Sequence, residues 1–204
     1  MALPDNLRIA DLQKVGEGEQ GIVYLIDPGR CIKVYKKSKY YDRELAVLQR
    51  TAGEPRFPKL FKWGHNYIIR EYIPGIDLIT YLKTNALTEA ISGQLLEVLE
   101  CFKRLRFRRI DTRLAHIIVT PDIQLRLIDP TNAMNKEQTY PKNLLAGLEE
   151  LGVKRTFLEH VKKINPQLYE RWGGKPEKHS EPSTHHGHRQ RKRPLEEFLA
   201  SVLE

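Results

Sequence analysis

The chain has 204 residues, 40% of them hydrophobic and 29% charged, enough to bury one ordinary domain or two small lobes. That balance excludes a wholly disordered chain, and two cysteines without CxxC or Cys/His spacing indicate neither a disulfide framework nor a zinc site. A net charge of +8 points to an acidic partner (nucleotide, nucleic acid, membrane surface or acidic protein) without choosing among them.

The first residues lack the basic start and apolar run of a signal peptide, and no apolar run approaches the ~20 residues of a membrane span. A reduced, cytoplasmic protein is the expectation. Residues 12–35 alternate as strands, with Asp27-Pro28-Gly29 reading as the turn of a hairpin between two β-branched runs. A helix is expected over 41–50, with Leu45 and Leu48 on its apolar side and a breaker at Gly53-Glu54-Pro55. Strands over 59–63 and 67–73 follow, joined by Gly64-His65-Asn66. Pro74-Gly75 then marks a change of character. From 78 to 106 the period is helical, with Leu95, Val98, Leu99, Phe102 and Leu105 on one face. A second hairpin spans 117–128 around Thr120-Pro121-Asp122, and a helical stretch occupies 143 to about 169. Three regions are therefore expected: a β-rich lobe over 1–73, a mainly helical lobe over 74–172, and a basic, His-rich disordered tail over 173–204 that ends in a possible short helix. The predicted class is α+β.

Gly16, Gly18 and Gly21 form G-x-G-x-x-G, completed by Val23 as G-x-G-x-x-G-x-V. A dinucleotide-binding loop of this form opens a helix, whereas here a strand follows, so that use fails on context. The remaining ligand-binding use is a strand–loop–strand hairpin folded over phosphates, with a lysine on the next strand. Lys33 stands there, in Cys-Ile-Lys-Val-Tyr, facing away from Ile32 and Val34. A twisted hairpin with glycine bulges and a surface lysine is the plain structural alternative. Glu44, on the first lobe's helix, is placed to hold Lys33 by a charge-assisted hydrogen bond; the alternative is a solvated surface glutamate.

Phosphoryl transfer also needs a proton acceptor and a cation on the phosphates. Asp111, His116 and Asp129 fall around the second hairpin, with Asp111 expected to end the long helix, His116 to open the hairpin and Asp129 to close it. Singly, each reads as a turn residue or a half-buried histidine; as a set they read as a site.

In this order, "VGEGEQGIV", "CIKVY", "RELAVL", "IIREYIPGIDLITYL", "IDTRLAH" and "LIDP" resemble the protein-kinase-like superfamily. The likeness is to small bacterial serine/threonine-kinase-like proteins with a minimal helical lobe, shared with the RIO and lipopolysaccharide kinases. The resemblance implies a bilobal fold that binds ATP with Mg²⁺, or with Mn²⁺. Val15, Gly16, Glu17, Gly18, Gly21 and Val23 would cover the nucleotide, Lys33 would hold its phosphates and Glu44 would position Lys33. The hinge, Glu71 to Ile73, would offer backbone groups to adenine. Asp111 would be the catalytic base and Asp129 the magnesium ligand, with His116 beside it.

The departures are specific. The H-R-D-x-x-x-x-N pattern appears as Arg109-Ile110-Asp111 through His116, so an imidazole replaces the amide oxygen that hard Mg²⁺ prefers. D-F-G appears as Asp129-Pro130-Thr131, which resembles small-molecule kinases such as the fructosamine kinases. Arg70 takes the gatekeeper place, and no A-P-E follows. The reading is an atypical ATP phosphotransferase acting on a protein or small-molecule hydroxyl. A pseudokinase that binds nucleotide as sensor or scaffold is the alternative, favoured by His116. Residues 185–194, in "HHGHRQRKRP", offer a third reading, binding of RNA or an acidic partner through counterion release.

Overall fold

The computed structural model describes residues 7–129 and 137–173, so the basic tail and the reading of 185–194 lie outside the described residues, as does most of Asp129-Pro130-Thr131. The first half of the chain is strand-rich because its apolar residues recur at period two. Strands β1 (Gln13–Glu17), β2 (Gly21–Asp27), β3 (Arg30–Tyr35), β4 (Leu60–Gly64) and β5 (Tyr67–Glu71) make an antiparallel sheet of order β1-β2-β3-β5-β4. The Asp27-Pro28-Gly29 turn is where it was expected, with Asp27 opposite Arg30. Alternation gives the sheet two apolar faces. Ile32, Tyr67 and Ile69 meet Leu7, Ile9 and Leu12 on one. On the other, Tyr35 and Ile68 meet Leu45 and Leu48 of helix α1 (Ser38–Arg50).

The second half packs around one larger core, built on helix α3 (Glu89–Arg104), whose Ile91, Leu95, Val98, Leu99 and Phe102 are buried. The helical stretch expected over 78–106 is two helices. Helix α2 (Leu78–Leu82) is capped by Asp77, which accepts the Thr80 N–H at 3.0 Å. After a break, Thr88 starts α3 by accepting the Ile91 N–H at 3.2 Å. Each cap satisfies one of the amides that a helix start leaves without a partner. Helix α3 ends before Arg106, which takes a φ of 54°, and an irregular segment then leads to Asp111. Asp111 thus lies well beyond the helix it was expected to end.

The stretch expected over 143–169 is three helices, α4 (Lys142–Glu150), α5 (Lys154–Ile164) and α6 (Pro166–Gly173). Gly152, at φ 71°, supplies the left-handed residue that stops α4, and Pro166 opens α6. The second hairpin is present as β7 (Ile117–Val119) and β8 (Leu125–Leu127). A short β6 (Ile76–Asp77), not expected from sequence, pairs with β7.

Arginines join the strand-rich part to the helical part. Arg50 donates to the Leu105 and Arg106 carbonyls at 2.7 and 3.0 Å, and Arg56 pairs with Glu97 and donates to the Leu125 carbonyl. Arg126 of β8 grips Glu71 at the end of β5. The architecture is α+β, a five-stranded antiparallel N-lobe with helices, in a small kinase-like bilobal fold. No helix among the described residues is long and apolar enough to cross a membrane.

Candidate functional site

The three glycines of the loop are present for different reasons. A Cβ on Gly21 would lie 2.2 Å from the Val34 carbonyl oxygen, so the pairing of β2 with β3 demands glycine there. Gly18 has open space above its backbone, and a Cβ on Gly16 would meet only ordinary contacts at 3.7 Å. Neither takes a positive φ. The fold requires glycine at position 21 and would accept a Cβ at Gly16 or Gly18.

Beneath the loop is a cavity of about 630 Å³. Of the residues expected to form the site, Gly16, Glu17, Gly18, Gly21, Val23 and Lys33 border it on the sheet side. Asp111, His116 and Asp129 border it on the hairpin side. Val15 sits in the bulge of β1, and Val15, Glu44, Glu71 and Ile73 are not among the described residues of its wall.

Lys33 lies opposite Val23 and Ile68, in the middle of the sheet and on the face that α1 covers. Its Nζ donates to Glu44 Oε2 at 2.5 Å and stands 3.6 Å from Asp129 Oδ2. Gln20 adds an acceptor from the glycine loop at 3.3 Å. Glu44 is fully buried and Lys33 only 5% exposed. Arg70 of β5, equally buried, places its Nε 3.5 Å from Glu44 Oε1. Burying such pairs costs desolvation that hydrophobic residues of the same volume would not. A network of two cations and two carboxylates therefore contributes little to folding for its size.

Asp129 follows β8, where the Ile128 N–H donates to the His116 carbonyl at 3.0 Å. That bond brings His116 and Asp129 to the same end of the hairpin. Burial pushes the His116 imidazole below the ordinary histidine range, against the opposite pull of Asp129.

Asp111 also borders the cavity, but its carboxylate is spent on protein donors. Oδ1 accepts from the backbone N–H groups of Asn143 and Leu144, in the first turn of α4. Oδ2 accepts from Asn143, from Arg109 Nη2 and from Gln138 Nε2, the last two at 3.0 Å. A carboxylate has about four lone-pair directions, and four donors take them. Sequence reasoning missed this helix-capping role and the placement of Asn143. The donors lie 32 and 33 residues from Asp111, and no local pattern reports them.

The first two residues of the hinge are engaged. The Glu71 N–H donates to Lys59 and the Tyr72 N–H to Gly29, while the Glu71 carbonyl is approached by Arg70 Nη1 at 3.5 Å.

No group of three or more His, Cys, Asp or Glu able to hold a metal is present among the described residues. Asp129 Oδ1, however, is buried without a hydrogen-bond partner, an oxygen suited to a hard cation. Mg²⁺ is commonly held by one or two carboxylates together with substrate phosphates, so this single carboxylate fits a metal that arrives with its ligand.

No family model matches the chain. Over 125 residues it is 25% identical to Putative serine/threonine-protein kinase YrzF of Bacillus subtilis (strain 168), an alignment covering 58% of each chain. The similarity supports a kinase-like relationship, and the chain spans 58% of the length of the curated relative it matches.

Proposed function

We propose that this chain is a kinase-like phosphotransferase that binds a nucleoside triphosphate under the glycine loop and passes its γ-phosphoryl group to a hydroxyl acceptor. ATP is the donor that the kinase resemblance implies. The observation that carries the reading is Lys33, buried and held at 2.5 Å by Glu44 beneath a loop whose Gly18 faces open space. In this reading the loop amides and Lys33 neutralise phosphate charge, while Glu44 keeps the ammonium aimed into the cavity. Asp129 would hold Mg²⁺ against the phosphates, and the ion would supply further neutralisation of the charge moving to the leaving group. The acceptor oxygen forms its bond to Pγ as the bond from Pγ to the β-bridging oxygen breaks. Asp111 accepts the hydroxyl proton, which requires it to give up one bond from α4. A diphosphate leaves.

A second reading is a module that binds nucleotide and transfers phosphate poorly or not at all. The saturated Asp111 carboxylate and His116 in place of an amide favour it.

Thermal unfolding with nucleotide, with and without Mg²⁺, tests both. Saturation to ~100-fold above Kd adds about 2.7 kcal/mol of stability. The first reading expects a metal-dependent shift lost in Asp129→Asn, with slow diphosphate formation that the same variant abolishes. A shift without diphosphate formation selects the second. No shift with any nucleoside triphosphate overturns both.

A further inference from the structure

The nucleotide reading gives Arg70, a buried cation of the cavity wall, no task toward the ligand. Arg70 is buried to 5% exposure and borders the cavity, with its Nε 3.5 Å from Glu44 Oε1, an ion pair that makes no hydrogen bond. Its position follows from the strand register. Along the face of the sheet that carries Lys33, successive rungs read Gly21 opposite Tyr35, then Val23 opposite Lys33 and Ile68, then Cys31 opposite Arg70. Rungs on one face are two residues apart, about 7 Å. Arg70 thus stands one rung beyond Lys33, on the side away from the glycine loop. If phosphates lie at the loop and Lys33, the base lies toward Arg70. The apolar side chains lining the cavity are Val23 on the sheet side and Ile128 on the hairpin side, a pairing suited to the two faces of a planar ring.

We propose that Arg70 makes this cavity selective for a purine that offers acceptors on its six-position edge, guanine or hypoxanthine, over adenine. The proposal rests on the nucleotide reading above and changes the base it implies. A guanidinium carries five donors and no acceptor. Guanine presents O6 and N7 side by side, the acceptor pair that arginine reads in two-pronged fashion. Adenine presents N7 beside an N6 amino group, which sets donor against donor. The carbonyl that could have taken that amino group, Glu71 O, already has Arg70 Nη1 at 3.5 Å. A buried group that loses its partner in this way rejects the mismatched ligand strongly. Glu44, 3.5 Å from Arg70 Nε, keeps the guanidinium in place.

The test is the affinity of the full chain for GTP, ITP and ATP, each with Mg²⁺, by titration calorimetry. GTP and ITP should bind alike and at least about tenfold more tightly than ATP, because both carry O6 and N7. In Arg70→Met the preference should collapse to within about threefold. ATP binding as tightly as GTP overturns the role of Arg70 and leaves the nucleotide reading standing. GTP binding well with ITP as weak as ATP also overturns it, since the 2-amino group would then be what is read. If none of the three binds, the nucleotide reading falls and this inference falls with it. The wild-type series decides even where Arg70→Met fails to fold.

Discussion

Both carboxylate oxygens of Asp111 accept the backbone N–H of Asn143, at 3.0 and 3.1 Å. The side chain expected to do chemistry is thereby also the cap of helix α4. Asp111→Ala should lower stability by roughly 2–3 kcal/mol, a lost cap plus donors left buried. Asp111→Asn, which keeps an acceptor oxygen, should lose less. Urea unfolding of both variants checks the order. Equal losses would mean that the helix start is satisfied in some other way.

The glycine loop should separate folding from binding. Gly18→Ala places its methyl in open space and should change stability by no more than about 0.5 kcal/mol. It should nonetheless weaken nucleotide binding measurably in titration calorimetry. Gly21→Ala drives a methyl into the Val34 carbonyl and should cost about 1–3 kcal/mol or more. A Gly18→Ala variant with undiminished affinity would show that nothing approaches that stretch of backbone.

Arg126 and Glu71 form a two-pronged pair at 2.8 and 2.9 Å, and Arg126 also donates to the Phe57 carbonyl. The hydrogen bond from Arg126 holds the Glu71 carboxyl below its ordinary value of 4.5, outweighing burial. Because the folded value is the lower one, the unfolded chain binds more protons in the window between them. The pair's contribution is present above about pH 4.5 and is lost as pH falls through the folded value. Stability measured from pH 6 downward should fall less steeply in Arg126→Met. An unchanged slope would assign the acid sensitivity elsewhere.

Ile123 holds a left-handed backbone, φ 58°, in the β7–β8 turn while half-exposed. A β-branched residue there costs about 1–2 kcal/mol, and little burial repays it. Ile123→Asn should raise stability by up to about 1 kcal/mol, since asparagine tolerates this conformation. Thermal unfolding reads it directly. A lower melting temperature would mean that the isoleucine packing outweighs the strain.

Much of this arrangement is legible in the sequence. The hairpin at Asp27-Pro28-Gly29 and the hairpin around Thr120 are local patterns of alternation broken by turn residues, and both are present. The helix breaks were less legible. The cap at Thr88 and the left-handed Gly152 had local signatures, but the apolar period ran across both and suggested single longer helices. Lys33 and Glu44 were paired by type and order along the chain, and they lie 2.5 Å apart. Arg70, at the gatekeeper place, was expected to snorkel or to pair with an acidic group, and its Nε lies 3.5 Å from Glu44 Oε1.

The five strands of the N-lobe, the second hairpin, the turns, the helix faces and the residues able to carry charge into a cavity all follow from local sequence. These depend on periods of two and 3.6 and on the conformational limits of single residues, all properties of short windows. Tertiary structure alone decided how those charges are used. It put Asp111 on the amides of α4, Arg70 against Glu44 and Arg126 on Glu71. Each partner comes from 26 to 55 residues away. A buried charge must find donors or acceptors wherever the packed chain supplies them, and burial is settled only when distant segments meet.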